Sequence, residues 1–97
     1  MKTGNIKPQE LLEYAKSLHG TTLETTAQHR KFLFNVDDKG FHYTPTSTMK
    51  PRIQENKYIE LVIERFNKEG SWSPQDYKDI TMNASYLLAV MNKYVNA

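Results

Sequence analysis

The stretch from Lys31 to Thr44 constrains the fold more than any other part of the chain. Phe32, Phe34 and Val36 alternate with Lys31, Leu33 and Asn35; Asp37-Asp38-Lys39-Gly40 interrupts; Phe41 and Tyr43 then alternate with His42 and Thr44. Successive side chains of a strand point to opposite faces, so a period of two with one aromatic side marks a half-buried strand. Aspartate favours turns and a closing glycine supplies a left-handed position. Two such runs joined across a short polar cluster read as an antiparallel β-hairpin. Its aromatic face must be covered, and the rest of the chain has to supply the cover.

Helical signals flank the hairpin. Residues 1–7 carry little pattern and read as frayed. Pro8 suits a first helical position, Leu11, Leu12, Ala15 and Leu18 recur at helical spacing, and Gly20 suits a left-handed cap, so a helix is expected over 8–18. Thr21, Thr22, Thr25 and Thr26 suggest a further short strand over 21–26. After Pro45 a polar loop runs to Lys50, Pro51 and Arg52, and Ile59, Val62, Ile63 and Phe66 mark the buried face of a helix over 53–68. Ser73-Pro74-Gln75-Asp76 has the form of a capped helix start over 74–79, with Trp72 and Tyr77 spaced as a hydrophobic staple. The last helix, capped by Thr81 or Asn83, is expected over 83–95. Leu87, Leu88, Val90, Met91, Tyr94 and Val95 cover more than one stripe of it, which points to packing on two sides.

Helix, then strands, then helices argues against alternating βαβ units. The expected architecture is a single α+β domain over 1–97: an N-terminal helix, an antiparallel hairpin or three-stranded sheet, then two or three helices packed on one face. Ninety-seven residues suffice for one modest core. No run approaches the roughly 20 apolar residues that span a bilayer. The first residues hold no apolar stretch of the secretory kind. There is no cysteine, hence no disulfide, thiolate metal site or cysteine nucleophile. A cytoplasmic location is expected, in which the Asn83-Ala84-Ser85 sequon is accidental.

Catalytic constellations are absent from the sequence. His19, His29 and His42 are scattered without the spacing that places two imidazoles on one metal, no carboxylate is evidently placed beside them, and they read as surface histidines. Asp37 and Asp38 read as turn residues rather than a calcium loop. The four glycines are dispersed, which excludes a phosphate-cradling glycine loop, and Ser73 is read as a cap. No cofactor and no metal are expected.

One cluster rises above this background. Arg30 and Lys31 enter the hairpin, Lys50 and Arg52 follow it, and Thr46 and Ser47 lie between. In a tight hairpin the two ends are neighbours, and cations beside hydroxyls and free amides suit phosphate. The competing reading is a solvated sheet edge guarded by charge. A net charge of +2 permits an anionic partner without demanding one. Phe32, Phe34, Phe41 and Tyr43 sit at core-facing spacing and read as core rather than as a base-stacking platform.

The run of Gly40-Phe41, Tyr43-Thr44-Pro45-Thr46-Ser47, Lys50-Pro51-Arg52, Arg65-Phe66-Asn67, Ser71 through Tyr77, Asp79-Ile80-Thr81 and Asn83-Ala84-Ser85-Tyr86 resembles small uncharacterised bacterial proteins of the mobile integron gene-cassette type. It covers about half the chain. The resemblance implies a bacterial cytoplasmic accessory protein and assigns no catalytic or binding residue. The functional expectation is a non-enzymatic binding or interaction module that forms a homodimer through Leu87, Leu88, Met91 and Tyr94. The alternative is a nucleic-acid or phosphate-binding module that uses Arg30, Lys31, Thr46, Ser47, Lys50 and Arg52.

Overall fold

The computed structural model describes residues 5–97. Helix α1 (Pro8–Lys16) leads into strands β1 (Thr21–Glu24), β2 (Lys31–Asp37), β3 (Gly40–Pro45) and β4 (Arg52–Glu55). Helix α2 (Asn56–Glu69), a 3₁₀ turn (Pro74–Tyr77) and helix α3 (Ala84–Val95) complete the chain. The strands form one antiparallel meander in the order β1-β2-β3-β4. This is an α+β fold. One sheet face buries Leu23, Phe32, Phe34, Phe41, Tyr43 and Gln54 beneath the helices. The other carries Thr22, Leu33, Asn35, His42 and Ile53, all at least partly exposed.

The hairpin forms as its alternation requires. Phe34 pairs with Tyr43 and Val36 with Phe41 across β2 and β3. The rings of Phe34 and Phe41 meet edge to face at 5.1 Å, and Phe32 and Tyr43 at 5.8 Å. Each buried ring contributes roughly 2–3 kcal/mol of transfer free energy. The Tyr43 phenol donates to Gln54 Oε1 at 3.3 Å, and Gln54 Nε2 donates to the Thr81 hydroxyl at 2.8 Å. That chain satisfies the buried amide, which would otherwise be costly beneath a helical layer. Burial in the same place pushes the Tyr43 phenol well above its ordinary pKa.

Three local expectations need correction. The sheet has four strands, not two or three, because residues 52–55 pair with β3 as a strand where a helix start was expected. Ile6, expected to fray, is 1% exposed; its N–H donates to Asn67 Oδ1 at 2.7 Å and its carbonyl accepts from Asn67 Nδ2 at 2.8 Å. Residues 1–4 lie outside the described residues.

The third correction concerns Ser73. Its side chain makes no capping bond at the 3₁₀ turn. Ser71 ties the entry to the turn instead: its Oγ accepts the Ser73 N–H at 3.1 Å and donates to Asp76 Oδ2 at 2.5 Å. Trp72 rests on Phe66, with ring centroids 4.7 Å apart, while the buried Tyr77 donates its phenol to the Ser71 carbonyl. We therefore expect Ser71→Ala to cost about 1 kcal/mol and Ser73→Ala to be nearly neutral, as read from urea midpoints. A larger loss at Ser73 than at Ser71 would restore the capping role to Ser73.

Candidate functional site

In a four-stranded meander the first and third connections lie at the same end of the sheet. Here they are two closely similar turns. The His29 N–H donates to the Thr25 carbonyl at 3.0 Å, and the Met49 N–H to the Pro45 carbonyl at 2.7 Å. Each turn ends on a left-handed residue, with φ of 55° at both His29 and Met49. These are the two non-glycine residues with positive φ among the described residues. Such a conformation costs on the order of 1 kcal/mol and persists where neighbours enforce it. The turns are joined through the hairpin base, where the Thr46 N–H donates to the Lys31 carbonyl at 3.1 Å.

Between these turns and the start of α3 lie two adjoining depressions. One, of about 260 Å3, is lined by Arg30, Lys31, Pro45, Thr46, Ser47, Thr48, Arg52 and Tyr86. The other, of about 400 Å3, shares Arg30 and Tyr86 and adds Thr25, Ala27, Gln28, Ser73, Pro74, Gln75 and Ser85. The topology thus brings together five of the six residues expected to contact phosphate: Arg30, Lys31, Thr46, Ser47 and Arg52. Lys50 is exposed in the adjoining turn and lines neither depression; its N–H donates to Thr48 Oγ1 at 3.3 Å. No acidic side chain among the described residues lines either depression. None of these four cations is ion-paired with a described carboxylate, whereas Lys16, Arg65 and Lys68 are.

Sequence reasoning missed Tyr86 as a site residue. Its ring is half-buried, stacked on Tyr43 at 5.3 Å and 26°, with the Arg52 guanidinium 5.7 Å from its centroid. An aromatic residue in an apolar helix reads as core, and nothing in the sequence pairs it with Arg52. The register does: Arg52 is the cross-strand partner of Tyr43, on which Tyr86 stacks.

The histidines, expected to stand alone, do have partners. His42 Nε2 lies 2.9 Å from Asp37 Oδ2, and His29 Nδ1 lies 2.9 Å from Glu24 Oε1. His19 Nδ1 accepts the Val36 N–H at 2.9 Å. The His42 hydrogen bond, helped by the Lys39 and Gly40 N–H groups, holds the Asp37 carboxyl below its ordinary value. Asp37 Oδ1 accepts those two N–H groups, so Asp37 serves the turn, as expected. Among the described residues no group of three or more His, Asp or Glu is placed to hold a metal ion.

The apolar residues of α3 do not form an outer face. Leu87 is 0% exposed, Leu88 1%, Met91 0% and Tyr94 4%. The chain's own α1, β1 and 3₁₀ turn pack against α3, and the Tyr94 phenol donates to Glu10 on α1. Dimerisation through these four side chains has no exposed surface to use. Among the described residues no helix is long and apolar enough to cross a membrane. No protein-family model, curated protein or solved structure matches the chain.

Proposed function

We propose that this chain is a non-enzymatic binding module whose ligand is a nucleic-acid strand, held by its phosphates in the groove between the 25–30 and 45–50 turns. One observation carries the reading: Arg30, Lys31 and Arg52 converge with Thr46 and Ser47 on a depression that no carboxylate among the described residues lines. Guanidinium groups suit phosphate oxygens because their donors form a planar fork. The Ser47 hydroxyl adds a neutral donor beside them, the usual company of a phosphate contact, whereas the Thr46 hydroxyl donates to the Lys31 carbonyl at 3.3 Å. The Ser47, Ser73 and Ser85 hydroxyls bond to no described residue; Ser47 lines the first depression, and Ser73 and Ser85 line the adjoining one. The modest net charge limits long-range attraction, so affinity depends on local convergence. A bacterial cytoplasmic accessory role belongs to the same reading, supported by the gene-cassette resemblance and the absence of cysteine.

A salt titration tests it. Each phosphate neutralised by a cation releases counterion, so binding to DNA or RNA weakens as salt rises. Arg52→Ala should reduce the slope of log affinity against log salt by about one, alike for every nucleic-acid sequence. Lys50→Ala, outside the groove, should change it less. Absence of binding at low salt, or an unchanged slope in Arg52→Ala, would remove the reading.

A further inference from the structure

We infer that the groove takes its ligand as a single strand and lays one nucleobase against the Arg52–Tyr86 pair. This rests on the phosphate-binding reading of the same groove and adds what that reading lacks, the state of the bases. Tyr86 is held before any ligand arrives. It stacks on Tyr43 and meets Phe32 edge-on at 5.0 Å and 71°, so engaging it costs little side-chain entropy. Arg52 lies over the ring without a carboxylate partner among the described residues. A guanidinium plane packed on an aromatic ring can present its other side to a second π-system, and every base has a π-face.

Shape selects the strand. The larger depression, about 400 Å3, is on the scale of a small-ligand site, and the smaller, about 260 Å3, falls just below it. Tyr86 is half-buried between two turns and does not project. In a duplex the base faces are stacked on one another, and reading their edges requires a helix or ribbon that enters a groove. Only an unpaired base can bring its face to a recessed ring. Arg30 and Tyr86 border both depressions, so the phosphate-suited one adjoins the one lined by Gln28, Gln75 and Ser85. The Tyr86 and Ser85 hydroxyls have no partner among the described residues and can bond base edges.

The test compares four probes by fluorescence anisotropy: oligothymidine of about ten nucleotides, oligouridine of that length, an abasic strand with the same number of phosphates, and a duplex. Both single strands with bases should bind about tenfold or more tighter than the abasic strand, and more tightly than the duplex. Arg52→Lys keeps the charge and loses the planar guanidinium. It should weaken oligothymidine several-fold more than it weakens the abasic strand. Tyr86→Phe, which keeps the ring and the packing on Tyr43 and loses only the hydroxyl, should weaken oligothymidine less than Arg52→Lys does. Equal binding of oligothymidine and the abasic strand would overturn the inference while leaving phosphate binding intact, and so would a preference for duplex. No binding of any probe would overturn both.

Discussion

Replacing Gly40 by alanine is expected to destabilise the protein by about 3 kcal/mol or more, the range in which a backbone-enforced clash stands out from ordinary surface changes. Gly40 opens β3 with φ of +152°, a region closed to side chains. A Cβ there would run into the Gln54 carbonyl oxygen and reach 3.0 Å from the Glu55 Cα. Neither obstacle can swing aside cheaply. Gly40 is paired with Glu55 on one side and Asp37 on the other, and the Gln54 side chain is tied to Tyr43 and Thr81. The strain must be relieved by parting β3 from β4, the strand that carries Arg52. The urea midpoint should fall steeply, and amides of 52–55 should exchange faster than those of β1 and β2. Gly20 is the control: its φ is +82°, but a Cβ there would meet no atom within 4 Å, so Gly20→Ala should cost only about 1 kcal/mol. Equal losses at the two glycines would show that conformational preference alone, and not the close approach of β4, makes Gly40 necessary.

The same strand marks where the sequence stops being legible. β2 and β3 announce themselves because their aromatic residues alternate and their inward face is apolar. In β4 the polarity is inverted: Ile53 is 48% exposed and Gln54 is 2% exposed. Sequence periodicity assigns Ile53 to the helix that follows. The inversion makes sense only once Tyr43 and Thr81 are seen to satisfy the buried amide, and those partners lie 11 and 27 residues away. Ile6 was hidden for a similar reason, since its anchor Asn67 lies 61 residues along the chain. The candidate site divides in the same way. Arg30, Lys31, Thr46, Ser47 and Arg52 could be placed together from hairpin adjacency, which is a local consequence of pairing. Tyr86 arrives from α3, and its contribution depends on how that helix docks.

Leu88→Lys is expected to unfold the chain at every protein concentration. The expectation separates the two meanings of an all-round apolar helix. The sequence of α3 correctly indicates burial on more than one side, and a second subunit is one way to supply the second side. The structure supplies both from within: β1, α1 and the 3₁₀ turn all pack against α3, leaving Leu88 1% exposed. A lysine there must bury an ammonium group without a partner or drag the helix out of the core. Either costs several kcal/mol, against a total stability of about 5–15 kcal/mol for a domain of this kind. Were Leu88 an interface residue, the same substitution would yield a folded monomer, and the unmodified protein would show a larger mass by light scattering and a midpoint that rises with concentration. Circular dichroism alongside light scattering distinguishes these outcomes. Leu61→Lys provides the comparison. Leu61 is 47% exposed on α2, and the substitution should shift stability by no more than about 0.5 kcal/mol. A folded, monomeric Leu88→Lys protein would return α3 to the role of an interface, and the groove beside Tyr86 would then lie next to a subunit boundary.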